Sequence, residues 1–310
     1  MKKSAYILIS LFLLSCEDII TPDLPKNDPI LVVDAWINDL NSPQKILLST
    51  TQDYLDTLSS PPASGAFIQI TDDIGNVFNF NESEPGEYIW EPDSIFQNLG
   101  SVGNSFSLTI LYSGKEIIAQ SKMNRTSIID SVNFVRGQFP EGSYYAEFWS
   151  REEEGLGDAY WIKTYKNGVY QNRLGDIITC IDAGASSEGA EVDGIPFIPP
   201  IRRGITRFET DEDGDFLSPF KKGDSLYVEI HSVTFEAFDF LNKTAIQINR
   251  PGGFGELFAV SLSNVPTNIF VVNDDNFKVL GFFNVSAVHG LGNTLDDEEL
   301  EKIELYNREW

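Results

Sequence analysis

Cysteine, histidine and basic side chains are what this chain of 310 residues has least of: two cysteines, two histidines, and 22 Lys and Arg against 47 Asp and Glu. The resulting net charge of -25 argues against nucleic acid as a partner, because binding it means neutralising phosphates with Lys and Arg. Direct adsorption to an anionic lipid surface is disfavoured for the same reason. His231 and His289 have no cysteine or second histidine at metal-ligand spacing, so no zinc site is expected. No Gly-x-Ser-x-Gly elbow, phosphate-binding glycine loop or dinucleotide fingerprint occurs. Carboxylates are too abundant for any pair to be singled out as an acid and base. No catalytic residue is assigned, and the chain reads as non-enzymatic. Past residue 14 no apolar run approaches the ~20 residues of a membrane-spanning helix.

The one long apolar run is Ala5 to Leu14, preceded by Lys2 and Lys3 and too short to span a bilayer. It reads as a signal peptide over residues 1–15. Its end, Leu13-Leu14-Ser15-Cys16, resembles the bacterial lipobox, in which the cysteine sulfur takes a diacylglycerol. Cys16 is therefore the expected lipidation site, and membrane attachment is expected through its acyl chains. That leaves Cys180 alone, so no intramolecular disulfide is expected and the fold must rest on core burial. Cys180 ends the apolar run Ile177-Ile178-Thr179 and reads as a buried, inert thiol. Residues 16–29 carry Pro22, Pro25 and Pro29 and form a tether that could extend up to ~45 Å.

Aromatic residues are plentiful, with 22 Phe, 11 Tyr and 5 Trp, and they fall in short runs bounded by Gly, Pro, Asn and Asp. That is the vocabulary of a mainly β protein. Strands are expected at 30–37, 45–49, 66–70, 77–80, 86–90, 105–112 and 115–120, the last two joined across Ser113-Gly114. Seven short strands in residues 30–125 suggest an immunoglobulin-like or transthyretin-like β-sandwich.

A second β-rich domain is expected over 126–310, with strands at 128–134, 143–149, 159–165, 225–231, 269–272 and 279–287 and an Asn167-Gly168 hairpin turn. Residues 181–204 are small, polar and proline-rich and read as a long loop. Thr234 reads as the N-cap of a short helix with Phe235, Phe238 and Leu241 at helical spacing, and 296–306 as an acidic helix. His289 is expected in a loop, Val288-His289-Gly290-Leu291-Gly292.

Two candidate constellations stand out. Asp211, Asp213 and Asp215 place carboxylates at alternate positions, as Ca²⁺ sites do, but Phe216 occupies the place of the sharp-turn glycine and Lys222 that of the bidentate glutamate. The stretch reads first as an acidic turn, with Ca²⁺ as the alternative. Trp149, Tyr160 and Trp161 belong to strands with aromatics on both faces, so some must point away from a one-sided core. They form the candidate interaction surface for carbohydrate or protein.

Taken in order, several motifs resemble one known family. They are the lipobox with its proline-containing tether, Ile30-Leu31-Val32-Val33-Asp34-Ala35-Trp36-Ile37-Asn38, Ser64 to Asp73 running on to Gly75-Asn76, Pro85-Gly86-Glu87-Tyr88, Phe235 to Phe240, Val265-Pro266-Thr267-Asn268-Ile269 and Leu280-Gly281-Phe282-Phe283. The chain resembles the domain-of-unknown-function 4249 family of Bacteroidota lipoproteins. The resemblance implies an outer-membrane lipoprotein often encoded beside TonB-dependent transporters, with no catalytic residues to carry over. The expected function is then that of a surface-exposed accessory subunit of an outer-membrane β-barrel, in particular a TonB-dependent transporter, acting in cargo capture or gating. The alternative is a free-standing glycan-binding or adhesion lipoprotein.

Overall fold

A computed structural model describes residues 28–53, 56, 58–151, 155, 157–181, 205, 209–250, 265–274 and 276–306. The signal segment, Cys16, most of the tether and residues 182–204 of the expected loop lie outside the described residues. The protein is mainly β, as expected, with sixteen strands and two α-helices among the described residues.

The first seven strands are β1 (Leu31–Asn38), β2 (Gln44–Thr50), β3 (Phe67–Asp72), β4 (Val77–Glu84), β5 (Glu87–Trp90), β6 (Ser105–Tyr112) and β7 (Lys115–Lys122). They form because apolar residues alternate with polar ones. In β1, Leu31, Val33, Ala35 and Ile37 are buried, and in β6, Phe106, Leu108 and Ile110 are. These residues share one core with Ile68, Ile70, Phe78, Tyr88 and Ile117, each large side chain contributing about 1.5–3 kcal/mol on burial.

Two strands from far along the chain join them. β14 (Ile269–Val271) pairs with β7, and β15 (Val279–Ser286) pairs in parallel with β1, Leu31 opposite Val279. The order is β14-β7-β6-β3-β4-β5-β2-β1-β15, a nine-stranded sheet rather than two separate ones. It folds over because β4 pairs with β3 through residues 77–80 and with β5 through 81–84. Side chains close the other side. Asn268 donates to the carbonyls of Gln120 (3.0 Å) and Phe283 (2.8 Å) and accepts from Phe283 N–H, while Val285 N–H donates to Ser121 Oγ at 3.0 Å. Gly281, at φ +100°, faces Val33. A Cβ there would sit 1.8 Å from the Val33 carbonyl oxygen, so the close approach of β1 and β15 requires glycine.

The remainder is built on β8 (Ile128–Arg136), β9 (Tyr144–Arg151), β10 (Ala159–Lys166), β11 (Val169–Tyr170), β12 (Ile178–Ile181), β13 (Ser225–Val233) and β16 (Val288–Thr294). β10 lies between β13 and the pair β11 and β12, and β13 in turn pairs with β16. The β8–β9 hairpin buries Val132, Phe134, Ala146 and Phe148 against Tyr160, Ile162, Leu226, Val228 and Ile230. Helix α1 (Phe235–Ile248) starts where Thr234 Oγ1 accepts from Ala237 N–H, and Ala237 and Leu241 are buried beside Phe282 and Val233. Helix α2 (Asp297–Tyr306) brings Leu300 and Ile303 onto the second core.

The expected boundary at 125/126 falls in the link between β7 and β8. The sheets do not divide there, because β14 and β15 cross back and β15 runs through Ala287 directly into β16. Ser232 fastens that passage, its N–H donating to Ala287 O at 3.0 Å and its Oγ accepting from Ala287 N–H at 2.9 Å. β16 itself corrects the expectation of a loop at 288–292. The glycines that suggested a loop lie under Tyr227: a Cβ on Gly290 would meet the Tyr227 hydroxyl at 2.0 Å, and one on Gly292 would meet the ring at 3.1 Å.

Candidate functional site

The residues singled out as aromatic do not form one surface. Strand alternation sends Tyr160 into the second core at 1% exposure and Trp161 to the opposite face. Trp149 lines a separate groove of about 650 Å³ with Glu147, Arg136, Glu299 and Lys302. Tyr160 is therefore a packing residue, and of the three only Trp161 belongs to the cluster described below. Asp211, Asp213 and Asp215 do not converge on a cation site. Asp211 Oδ1 accepts from the N–H groups of Asp213 (3.0 Å) and Asp215 (2.9 Å), which makes the stretch a hydrogen-bonded turn. Among the described residues no group of three or more His, Cys, Asp or Glu is placed to hold a metal. Cys180 is in no disulfide and is half-buried against the second core. His289 Nδ1 accepts from Ile129 N–H at 3.2 Å, a structural contact.

What the fold does bring together is the second face of the β10–β13 pair. Even-numbered residues of both strands enter the core, so Trp161, Lys163 and Tyr165 of β10 and Tyr227, Glu229 and His231 of β13 share the other face. β11 adds Tyr170 opposite Tyr165. β1 of the first sheet adds Trp36, whose ring meets Trp161 edge-on at 4.9 Å, and on the same face Asp34.

Glu229 is the hub. Its Oε2 accepts from Tyr165 Oη at 3.0 Å and lies 2.9 Å from His231 Nε2. Because a carboxylate only accepts, the imidazole carries its proton on Nε2. Burial would push the Glu229 carboxyl up, but the His231 and Tyr165 hydrogen bonds and nearby Lys163 together hold it below its ordinary range. Burial pushes His231 down to about 4, with Lys163 adding to the effect, so at neutral pH His231 gives Glu229 a hydrogen bond and not a charge.

Lys163 Nζ stands 4.1 Å from the centre of the Trp161 ring. No hydrogen-bond acceptor reaches it among the described residues. Burial lowers its ammonium to about 8, with Glu229 and Asp34 pulling the other way, so it remains charged at pH 7. Asp34 is open to solvent, with protein atoms packed around it. The crowding raises its carboxyl, opposed by Lys163 and the Trp36 indole. The Tyr165 ring lies tilted against Tyr227, centroids 6.0 Å apart, and against Tyr170 at 5.2 Å. Burial and the neighbouring carboxylates raise all three phenols, Tyr170 to about 12, so each hydroxyl stays protonated. The Trp161 Nε1–H is buried with no acceptor among the described residues.

A cavity of about 390 Å³ lies elsewhere, lined by Lys166, Phe220, Asp224 and Leu226. Lys166 and Asp224 are paired there: Lys166 Nζ donates to Pro219 O at 2.7 Å and lies 3.4 Å from Asp224 and 5.1 Å from the Phe220 ring. It reads as a structural latch.

Fold and site define a mainly β protein whose second sheet presents an aromatic, mixed-charge face to β1 of the first. The chain belongs to the family described as domain of unknown function (DUF4249), whose model matches residues 17–290. No curated protein matches. Among solved structures, the chain is similar to a DUF4785 family protein from Legionella pneumophila subsp. pneumophila str. Philadelphia 1, at 9% identity and a TM-score of 0.20, over 66% of this chain and 51% of that one. It spans about half the length of that protein, and a likeness this loose carries no argument.

Proposed function

We propose that this protein is a lipid-anchored, non-enzymatic binding subunit at the outer membrane, facing the cell exterior, that holds cargo for a neighbouring β-barrel such as a TonB-dependent transporter. The observation that carries the reading is the mixed polar and aromatic face that β10 and β13 share with Asp34 and Trp36 of β1, where acceptors, a donor and aromatic rings stand side by side. Support for binding over catalysis comes from His231, which is buried, committed to Glu229 and neutral across the physiological range. The anchor at Cys16 supplies the rest of the logic. Tethering confines the domain to the membrane plane and raises its effective concentration at a barrel.

Co-purification from native membranes tests the proposal. A stoichiometric barrel partner is the expected result, and recovery as a free monomer would count heavily against it. Cys16→Ala should release the protein and abolish function while leaving the fold intact. Normal activity from that soluble form would sink the tethered-partner reading. The exposed ring of Tyr227 favours the second reading, a free-standing glycan-binding or adhesion lipoprotein, which needs the same face but no barrel.

A further inference from the structure

Resting on the reading of this face as a binding site, the geometry points to a neutral saccharide as the ligand, stacked on Tyr227 and hydrogen-bonded by Asp34 and Lys163.

The platform comes first. Gly290 and Gly292 of β16 are the residues paired with Glu229 and Tyr227 of β13. With side chains missing at both, the Tyr227 ring lies down along β16, its hydroxyl over Gly290 and its near edge over Gly292. A ring lying on a sheet shows a flat face outward, and Tyr227 is 41% exposed. Such a face suits the C–H side of a pyranose, which is apolar and flat, and Tyr165 and Tyr170 extend the aromatic row.

The polar groups fix the charge class. Asp34, which is exposed, presents acceptors, Lys163 presents N–H donors that no group among the described residues takes, and Glu229, buried beside them, adds a second negative charge. An anion would face two carboxylates. A cation would face Lys163 within the same cluster. A polyol faces neither conflict, because each hydroxyl both donates and accepts, so it can donate hydrogen bonds to Asp34 and accept them from the Lys163 ammonium. Glu229 Oε2 is already occupied by Tyr165 and His231, which fixes the carboxylate in place. Lys163 is held over the Trp161 ring, and Trp161 in turn by Trp36. The donors and acceptors are thus set before a ligand arrives, which reduces the ordering that binding requires.

The test uses the full-length lipidated protein in detergent micelles, titrated calorimetrically with malto-, cello-, manno- and xylopentaose, with sialyllactose as an anionic probe and Gly-Gly-Phe as a zwitterionic one. Binding of at least one neutral pentasaccharide is expected, weakened at least tenfold by Tyr227→Ala and by Asp34→Asn and unchanged by Trp149→Ala. Asp34 and Tyr227 are exposed, so both variants keep the fold, which circular dichroism verifies. No neutral pentasaccharide binding, a preference for sialyllactose or Gly-Gly-Phe, or saccharide binding untouched by both variants would each overturn the inference. Its failure is distinguishable from that of the accessory-subunit reading, since co-purification with a barrel is scored without any sugar.

Discussion

Replacing Lys163 by methionine separates what the charged face costs the fold from what it offers a ligand. The ammonium is lowered by burial from its ordinary 10.5 to about 8, even with Glu229 and Asp34 opposing the shift. One pKa unit corresponds to about 1.4 kcal/mol, so holding this charge at pH 7 opposes folding by about 3 kcal/mol. The Trp161 ring beneath it returns about 1 kcal/mol as a cation–π contact. Methionine has a similar length, removes the charge and keeps an apolar stem on Trp161. Lys163→Met should therefore stabilise the protein at pH 7 by about 2 kcal/mol. The sign of the pH dependence follows from the two protonation steps. The folded protein gives up the Lys163 proton near pH 8 and the unfolded chain near 10.5, so the wild type regains stability as pH rises through that window. The advantage of the variant should shrink by about 2 kcal/mol between pH 7 and pH 10. Urea titrations of the mature chain in detergent at both pH values, followed by tryptophan fluorescence, measure it. A variant less stable than the wild type at pH 7, or a difference that does not change with pH, would refute the reasoning and show that Asp34 and Glu229 depend on Lys163 for charge compensation.

Three further outcomes are expected. His231 is neutral in the fold down to about pH 4 but protonates near 6.5 when unfolded, so stability should fall by up to about 3 kcal/mol as pH drops through that interval. His231→Gln should flatten this limb, and an unchanged slope of urea midpoint against pH would contradict it. Glu229, held low, loses its contribution only below about 4.5, a separate window. Gly281→Ala places a Cβ against the Val33 carbonyl at positive φ and should cost more than about 3 kcal/mol, read as a loss of soluble folded protein, whereas a near-native melting temperature would rule out the close approach. Asp211→Ala should cost about 1 kcal/mol through its two turn hydrogen bonds, and millimolar Ca²⁺ should leave the melting temperature of the wild type unchanged. A Ca²⁺-dependent rise abolished in Asp211→Ala would restore the cation reading.

Period-two alternation made the strands of both sheets legible except β16, whose glycines read as a loop, and Thr234 made α1 legible, because those signals are local. Partners were not local. Nothing near Leu31 indicates that its neighbour is Val279, and nothing near Gly290 indicates that Tyr227 lies on it. The face had a local trace that adjacent pairs obscured. Tyr160-Trp161 looks like an aromatic pair, but the informative spacing is two: Trp161, Lys163 and Tyr165 on one strand, Tyr227, Glu229 and His231 on another. Each is a polar or aromatic file opposite an apolar one. Asp34 and Trp36 show the same spacing on β1, but only the crossing of β15 brings that strand beside the second sheet.

The pairing of β1 with β15 also bears on how the protein comes into being. Leu31 meets a partner about 250 residues away, the kind of long-range contact that slows folding. As the chain is synthesised from its N-terminus, β1 to β7 can assemble early, yet β1 keeps one bare edge and β7 the other until the last quarter of the chain emerges. Bare edges recruit other strands, so a partly made chain is exposed to aggregation for nearly the whole of its synthesis. The same arrangement delays completion of either sheet. The nascent chain cannot finish folding prematurely, and β15, passing through Ala287 into β16, locks both sheets in a single late step.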